Sequence, residues 1–250
     1  MIYVTGDCHA RYDKLVGLDR MVGGLTKDDV VIVCGDFGIW HDGPWEHKEL
    51  AKIEQLACTV VFVDGNHENF DRLYGDEFPV VDFCGGKAHK IRENLYHLMR
   101  GYVFEFVGKT FWAFGGARSH DIDDGILDQA DYSSKQAFLR TVKRWDQQGR
   151  MYRINHVSWW SQEMPSKEEM DFGRRMLAEH GDKVDYIITH CAPQNIAALC
   201  GFLDGDELTQ FFDVIDGEVE FKRWFFGHYH ADRRVGRNHT MLYNDTLIVE

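Results

Sequence analysis

Short apolar runs alternate with helical patterns in the first part of the chain. Val, Ile, Tyr and Phe dominate residues 2–5, 30–34 and 59–63, which predicts three buried strands. Between these runs, apolar residues recur at helical spacing within 11–22 and about 45–57. Because strand and helix alternate, we expect parallel strands joined by crossover helices, with the loops after the strands gathered at one edge of the sheet.

The pattern changes in the middle of the chain. Apolar-rich residues 102–107 and 110–114 flank Gly108-Lys109, which predicts a β-hairpin. The sequence therefore indicates a mixed α/β protein. Further helices are predicted at 134–147 and 166–180, further strands at 184–188 and 223–226, and closing antiparallel strands at 240–243 and 246–249.

Five short polar clusters each follow a strand-like run. A single Asp, Asn or His after a strand is most often a turn residue or a buried packing residue. Five such clusters bring carboxylate oxygens and imidazole nitrogens to one sheet edge, and divalent transition metals prefer that mixture of ligands. The arrangement predicts a two-metal site. The clusters are Gly6-Asp7-Cys8-His9, Gly35-Asp36, Gly65-Asn66-His67-Glu68, Thr189-His190 and Gly227-His228-Tyr229-His230.

Composition limits where and how the chain works. With 44% hydrophobic residues in 250 there is ample material for a core, and because the polar clusters at both ends must converge, we expect one domain. The start of the chain lacks the pattern of a secretory signal, and the apolar runs are too short to cross a bilayer. The six cysteines form no Cys-x-x-Cys pair. We therefore expect a cytoplasmic protein without a membrane partner, in which Cys8, Cys34 and Cys191 are buried packing residues.

The formal charge of −13 argues against extended nucleic-acid binding, which needs a basic surface. It does not exclude an anionic substrate. Two bound divalent ions would outweigh the charges of Asp7 and Asp36, so a phosphate would meet a positive site. The sequence leaves the oligomeric state open.

The order and spelling of the five clusters resemble the calcineurin-like metallophosphoesterase superfamily, whose pattern is Asp-x-His, Gly-Asp, Gly-Asn-His-Asp/Glu, a lone His and Gly-His-x-His. The resemblance spans residues 6–230. It implies the family's αββα sandwich, with two mixed β-sheets flanked by helices, and a single phosphoesterase domain over residues 1–250.

The resemblance also implies a ligand set. On extended backbone Asp7 and His9 point the same way, which suits chelation of one ion. The family pattern gives that ion His230 as well, makes Asp36 the bridge, and assigns Asn66, His190 and His228 to a second ion. Two divalent transition-metal ions are implied, with Mn favoured and Fe, Zn or Ni possible. A hydroxide held between them would attack phosphorus in line.

Neighbouring residues have implied or open roles. His67 matches the family's catalytic histidine, which stabilises or protonates the leaving oxygen. Glu68 either orients a histidine or caps a helix. Arg11 and Arg118 are candidate phosphate-binding residues, with solvated loop arginines as the alternative. The remaining histidines match no family position and are expected on the surface or in packing: His41, His47, His89, His97, His120, His156, His180 and His239.

These residues predict a dinuclear metal-dependent phosphoesterase that hydrolyses phosphomonoesters or phosphodiesters. A dinucleoside polyphosphate hydrolase or protein phosphatase is the alternative activity. The protein-phosphatase interpretation is weakened because Gly35-Asp36 continues as Phe37-Gly38 and lacks the Asp-Arg-Gly of that branch. Outside the enzymes, the alternative is a non-catalytic metal-binding interaction scaffold. The chain has His67 and a residue at every ligand position of the family pattern, which argues against a scaffold.

Overall fold

Two β-sheets lie at the centre of the molecule, and the computed structural model describes residues 1–249. The first sheet has the strand order β15-β1-β2-β3-β6-β5-β4 and the second has the order β13-β14-β12-β11-β8-β7, while β9 and β10 pair separately. The strands are β1 Ile2–Thr5, β2 Val30–Val33, β3 Thr59–Phe62, β4 Val80–Phe83, β5 Gly86–Arg92, β6 Leu95–Leu98, β7 Val103–Phe106, β8 Lys109–Phe114, β9 Gly125–Leu127, β10 Tyr152–Ile154, β11 Tyr186–Thr189, β12 Arg223–Phe226, β13 Arg233–Val235, β14 His239–Met241 and β15 Thr246–Val249.

Within residues 1–249, four of the seven α-helices begin and end close to the positions that the sequence predicts, and the helices Phe70–Leu73, Gln194–Leu199 and Glu207–Glu218 were not predicted. Ser134 accepts a hydrogen bond from the backbone of Ala137, and Ser166 forms a reciprocal capping box with Glu169, so both helices start at a satisfied N-cap. Pro44 occupies the first turn of the second helix, where its missing N–H costs nothing. The helices are α1 Asp13–Met21, α2 Pro44–Glu54, α3 Phe70–Leu73, α4 Lys135–Gln147, α5 Lys167–Glu179, α6 Gln194–Leu199 and α7 Glu207–Glu218.

Alternate residues of the central strands face different cores. On β2, Ile32 belongs to the apolar cluster between the two sheets, which also contains Phe111 of β8. Its neighbour Val31 belongs to the cluster beneath α1 and α2. On the far side, Trp224 of β12 packs in the cluster with Phe212 of α7. Helix, sheet, sheet and helix thus form the predicted αββα sandwich of two mixed sheets.

The parallel strands end at the same level. Thr5 of β1 pairs with Val33 of β2, and Val33 pairs with Phe62 of β3. In the second sheet Thr189 of β11 pairs with Phe114 of β8. The loops that follow these strands therefore leave from one edge of each sheet.

Parts of the strand pattern also differ from the prediction. The last two strands do not close the fold as a pair: β14 runs parallel to β12 in the second sheet, and β15 runs antiparallel to β1 in the first. The meander β4–β6 and the short pair β9–β10 were not predicted. Their strands are short or carry inward-facing polar residues such as His89 and His97, so the apolar alternation is weak.

Candidate metal centre

Six loops meet at the common edge of the two sheets, following β1, β2, β3, β8, β11 and β12. Two glycines allow them to approach each other. A Cβ on Gly65 would overlap the carboxylate of Asp36, and a Cβ on Gly227 would overlap the carboxylate of Asp7. The glycines of the sequence clusters therefore make room for the acidic side chains of other clusters.

The loop after β1 presents Asp7 and His9. His9 has a φ of 48°, so the backbone is not extended here. The prediction that Asp7 and His9 lie on an extended strand is therefore wrong. A tight turn brings the two side chains together instead, with His9 Nε2 lying 3.7 Å from Asp7 Oδ2. Lys14 of α1 fixes the turn by donating hydrogen bonds to the carbonyls of Gly6, Asp7 and Tyr243.

Asp36 lies at the centre of the loops and is 1% exposed. Its Oδ1 accepts a hydrogen bond from the backbone N–H of His67 at 2.8 Å and lies 3.2 Å from His190 Nε2. Burial alone raises the pKa of the Asp36 carboxyl, but His190 and the other facing histidines lower it far below its usual value. Asp36 is therefore an anion that needs a cation beside it.

His190 is fully buried and held by its other ring nitrogen. Nδ1 donates a hydrogen bond of 2.8 Å to the Cys34 carbonyl, which leaves Nε2 facing Asp36 Oδ1 at 3.2 Å. Burial lowers the pKa of His190, and the nearby Asp36 and Asp7 outweigh it and raise the pKa to about 9. A backbone carbonyl fixing one nitrogen is the usual arrangement for a histidine that ligates metal through the other.

One set of side chains suits a metal ion directly. Ligand atoms of Asp7, His9, Asp36 and His230 all lie within 4.8 Å of one another. His9 Nε2 and His230 Nε2 are 3.0 Å apart, and His230 stacks on Tyr243. Two carboxylates and two imidazoles at this spacing match the donors that Mn, Fe, Zn and Ni accept.

Asn66, His190 and His228 border this set. The rings of His190 and His228 are 4.9 Å apart, and Asn66 lines the same cavity as Asp36 and His228. Within residues 1–249, Asp7 Oδ2, Asn66 Oδ1 and His190 Nε2 are buried yet make no hydrogen bond. A bound cation would satisfy buried polar atoms of this kind, so the residues fit the metal ions that the family pattern implies.

Glu68 has a role that neither sequence-based alternative described. Its buried carboxylate accepts hydrogen bonds from the backbone N–H groups of Phe37, Gly38 and Ile39. Helix α3 is capped by the next residue, Asn69. Burial raises the pKa of Glu68, and the backbone donors oppose that rise. Glu68 thus fixes the loop that carries Asp36.

Arg153 is the residue that the sequence analysis missed. It is 7% exposed, and its guanidinium donates to His67 Nε2 at 3.1 Å, to Asp121 at 2.6 Å and to the carbonyl of Ser158 at 3.1 Å. It is also the single arginine or lysine, in the part of the chain described, that lines the cavity containing Asp36 and Asn66. No local sequence signal identifies it, because His67 is 86 positions away.

The two arginines predicted to bind phosphate lie at the margins. Arg11 is exposed and lines a cavity shared with His9 and His67. Arg118 is exposed in a different cavity, beside His120 and His228. The structure therefore places Arg11 nearer the candidate catalytic histidine, and Arg118 on the opposite flank.

The other histidines behave mostly as expected. His89 and His97 are buried with their Nδ1 atoms 2.9 Å apart, and His97 Nε2 bonds to Asp64 at 3.0 Å, so they belong to packing. His120 is exposed, but its Nε2 lies 2.6 Å from Nε2 of His228, which places it at the site. The predicted burial of three cysteines is confirmed for Cys8, Cys34 and Cys191.

The chain is similar to a known protein family and to solved structures. The structure of a phosphopantetheinyl hydrolase from Mycobacterium tuberculosis is similar over 97% of this chain and 87% of that chain, with 16% identity and a TM-score of 0.46. A search of curated proteins finds no significant match. No helix within residues 1–249 is long and apolar enough to span a membrane. The sequence pattern of calcineurin-like phosphoesterases matches residues 1–232, and the chain therefore belongs to the calcineurin-like phosphoesterase family.

Proposed function

We propose that the protein is a dinuclear metal-dependent phosphoesterase that hydrolyses phosphomonoesters or phosphodiesters. The observation that carries the proposal is the set of buried, unsatisfied donor atoms on Asp7, Asn66 and His190 beside the carboxylate of Asp36. These atoms support metal binding, and His67 with Arg153 hydrogen-bonded to it beside them favours an enzyme over a metal-binding scaffold. Six cysteines without a disulfide support action in the reducing cytoplasm.

The seven candidate ligands divide between two ions. Asp36 would contact both, and Mn is the proposed ion, with Fe, Zn or Ni as alternatives. When bound, the ions would polarise the phosphoryl oxygens and lower the pKa of water. One ion would be held by Asp7, His9 and His230, and the other by Asn66, His190 and His228.

Arg153 and His67 would act on the substrate as a pair. An arginine can only donate hydrogen bonds, so the contact to Nε2 keeps the proton of a neutral His67 on Nδ1. Burial, together with Arg153, lowers the pKa of His67, while Asp36 opposes the shift. We propose that Arg153 moves from His67 to a non-bridging phosphoryl oxygen and that Nε2 of His67 then takes up a proton from solvent. The resulting imidazolium would donate its Nδ1 proton to the leaving oxygen and return to the neutral form.

Turnover of a chromogenic phosphate ester tests the proposal. Protein stripped of metal should be inactive, and reloading with Mn²⁺, Ni²⁺, Zn²⁺ or Co²⁺ should restore hydrolysis. Kinetics on aryl monoesters, aryl diesters, cyclic nucleotides, dinucleoside polyphosphates and phosphopeptides would then define the substrate class. Absence of turnover with every metal, in protein shown to bind two ions, would reject the enzyme in favour of a metal-binding scaffold.

A further inference from the structure

A second cavity, of about 240 Å³, lies against the candidate metal centre and shares His9 with it. Its walls include His9, Arg11, Trp40, Trp45 and His67. His67 also lines the cavity that contains Asp36 and Arg153. A molecule bound across His67 would therefore occupy both cavities.

Trp40 forms a fixed wall of this cavity. Its ring lies 6.2 Å from that of His67 with an angle of 34° between the planes, and Trp160 packs against it edge-on at 5.9 Å. The Trp160 indole is itself fixed by a 2.7 Å hydrogen bond to Asp71. The Trp40 backbone N–H donates to Glu46 at 2.6 Å. An aromatic ring held in this way offers a flat face without further ordering.

Trp45 forms the outer wall and is exposed. Half of its surface, 51%, is accessible, and within residues 1–249 it is the only tryptophan among the exposed large hydrophobic side chains. At the rim of this cavity, the exposed indole can contact a ligand that the cavity holds. The guanidinium of Arg11 lies at the same rim and adds a second group that stacks on aromatic rings.

We propose that this cavity binds a planar aromatic group carried by the leaving alcohol of the substrate. The inference rests on the proposed function, because His67 would protonate the leaving oxygen and the group attached to that oxygen would then lie on the side of Trp40 and Trp45. The indole faces would stack on the ring, and Arg11 would cover its edge. The substrates would be phosphate esters of aryl alcohols or of nucleosides.

Matched substrates test the assignment. We would compare an aryl phosphate with a fluoroalkyl phosphate of similar leaving-group pKa, using metal-loaded wild-type protein and Trp45→Ala. Loss of one stacking partner should raise KM for the aryl ester about tenfold with little change in kcat, and leave the fluoroalkyl ester unaffected. Trp45→Phe should return KM for the aryl ester most of the way to the wild-type value. Phe202→Ala is the control, because Phe202 is an exposed aromatic residue that packs on Tyr229 and does not line this cavity.

Binding without turnover separates this inference from the proposed function. Adenosine and a simple phenol would be titrated into metal-loaded protein, with tryptophan fluorescence as the signal. Quenching by either compound, with a dissociation constant that rises about tenfold in Trp45→Ala, would support the aromatic site. The compound that binds more tightly would show whether the ring belongs to a nucleoside or to an aryl alcohol. No binding of either, or equal losses for aryl and fluoroalkyl esters, would overturn it. Wild-type protein that binds adenosine but hydrolyses no ester would reject the proposed function alone.

Discussion

The guanidinium of Arg153 donates a 3.1 Å hydrogen bond to Nε2 of His67, across 86 positions of sequence. Arg153 lies on β10, within the segment between β8 and α5, whereas His67 follows a central strand of the first sheet. This contact joins the segment between β8 and α5 to the loop that follows β3. It also determines which nitrogen of His67 can carry a proton.

Arg153→Ala should lower kcat/KM for an unactivated phosphate ester by about 10²–10³, because a buried charged donor to the phosphoryl group is lost. Arg153→Lys should recover only part of this activity, because lysine lacks the planar guanidinium with its several N–H donors. Metal content and the inhibition constant of inorganic phosphate would be measured beside turnover. Arg150→Ala, three positions earlier and solvent-exposed, is the control. An unchanged inhibition constant for inorganic phosphate in Arg153→Ala would show that Arg153 does not bind the phosphoryl group.

His67→Ala should keep two metals and lower kcat by roughly 10²–10⁴, the range expected for a general acid. The loss should be greatest for leaving groups of high pKa, because an activated phenolate needs little protonation. A series of aryl and alkyl esters measures this slope. An equal loss across the series would indicate electrostatic positioning, and loss of a metal would show that His67 is a ligand.

Asp36→Asn should sharply reduce binding of two ions and abolish most activity, because one negative charge leaves the space between two cations. Asparagine tolerates the φ of 44° found at this position, so the loop should fold normally. Elemental analysis and turnover would be measured together, with Asp213→Asn on α7 as control. Two retained ions with near-normal turnover would refute the bridging role.

Removal of metal should lower thermal stability. Binding to the folded state alone contributes about 2.7 kcal/mol at a free-ion concentration of one hundred times Kd, or about 5–10 °C in Tm for a chain of this size. Thermal unfolding would be followed after chelation and after adding Mn²⁺ or Zn²⁺. The shift should disappear in Asp36→Asn. An unchanged Tm in the wild-type protein, despite measured metal binding, would contradict this expectation.

The buried ion pair between Arg100 and Asp64, just before the loop that carries Asn66, should be important for stability. Arg100 donates to both oxygens of Asp64, and the two side chains are 2% and 0% exposed. Arg100→Ala should lower the free energy of unfolding by about 3–5 kcal/mol, because it leaves a buried carboxylate without its cation. Urea denaturation would measure the loss. Arg174→Ala, which removes a more exposed pair with Asp182, should cost about 0–1 kcal/mol.

The sequence by itself determined the central strands and the principal helices. Residues 2–5, 30–34 and 59–63 are apolar without interruption because both faces of these strands are covered, and that pattern depends on nothing distant. The helix predicted at 134–147 was found at Lys135–Gln147 because Ser134 marks its start. The candidate ligands were also identifiable, since each one follows a strand in a recognisable cluster.

Only the tertiary structure decided which residues surround those ligands. Arg153 reaches the site from a segment whose local sequence carries no sign of it. His120 and Trp40 lie near the predicted residues Arg118 and Asp36, but their own contacts form between positions far apart in the chain. The same reason explains the inward-facing polar strands of the meander β4–β6. His89 and His97 are tolerated in the interior because each hydrogen-bonds to the other, and Asp64 completes the group. A hydrophobic pattern records which positions are buried, whereas the partner that makes a buried polar group acceptable is fixed only when the sheets pack.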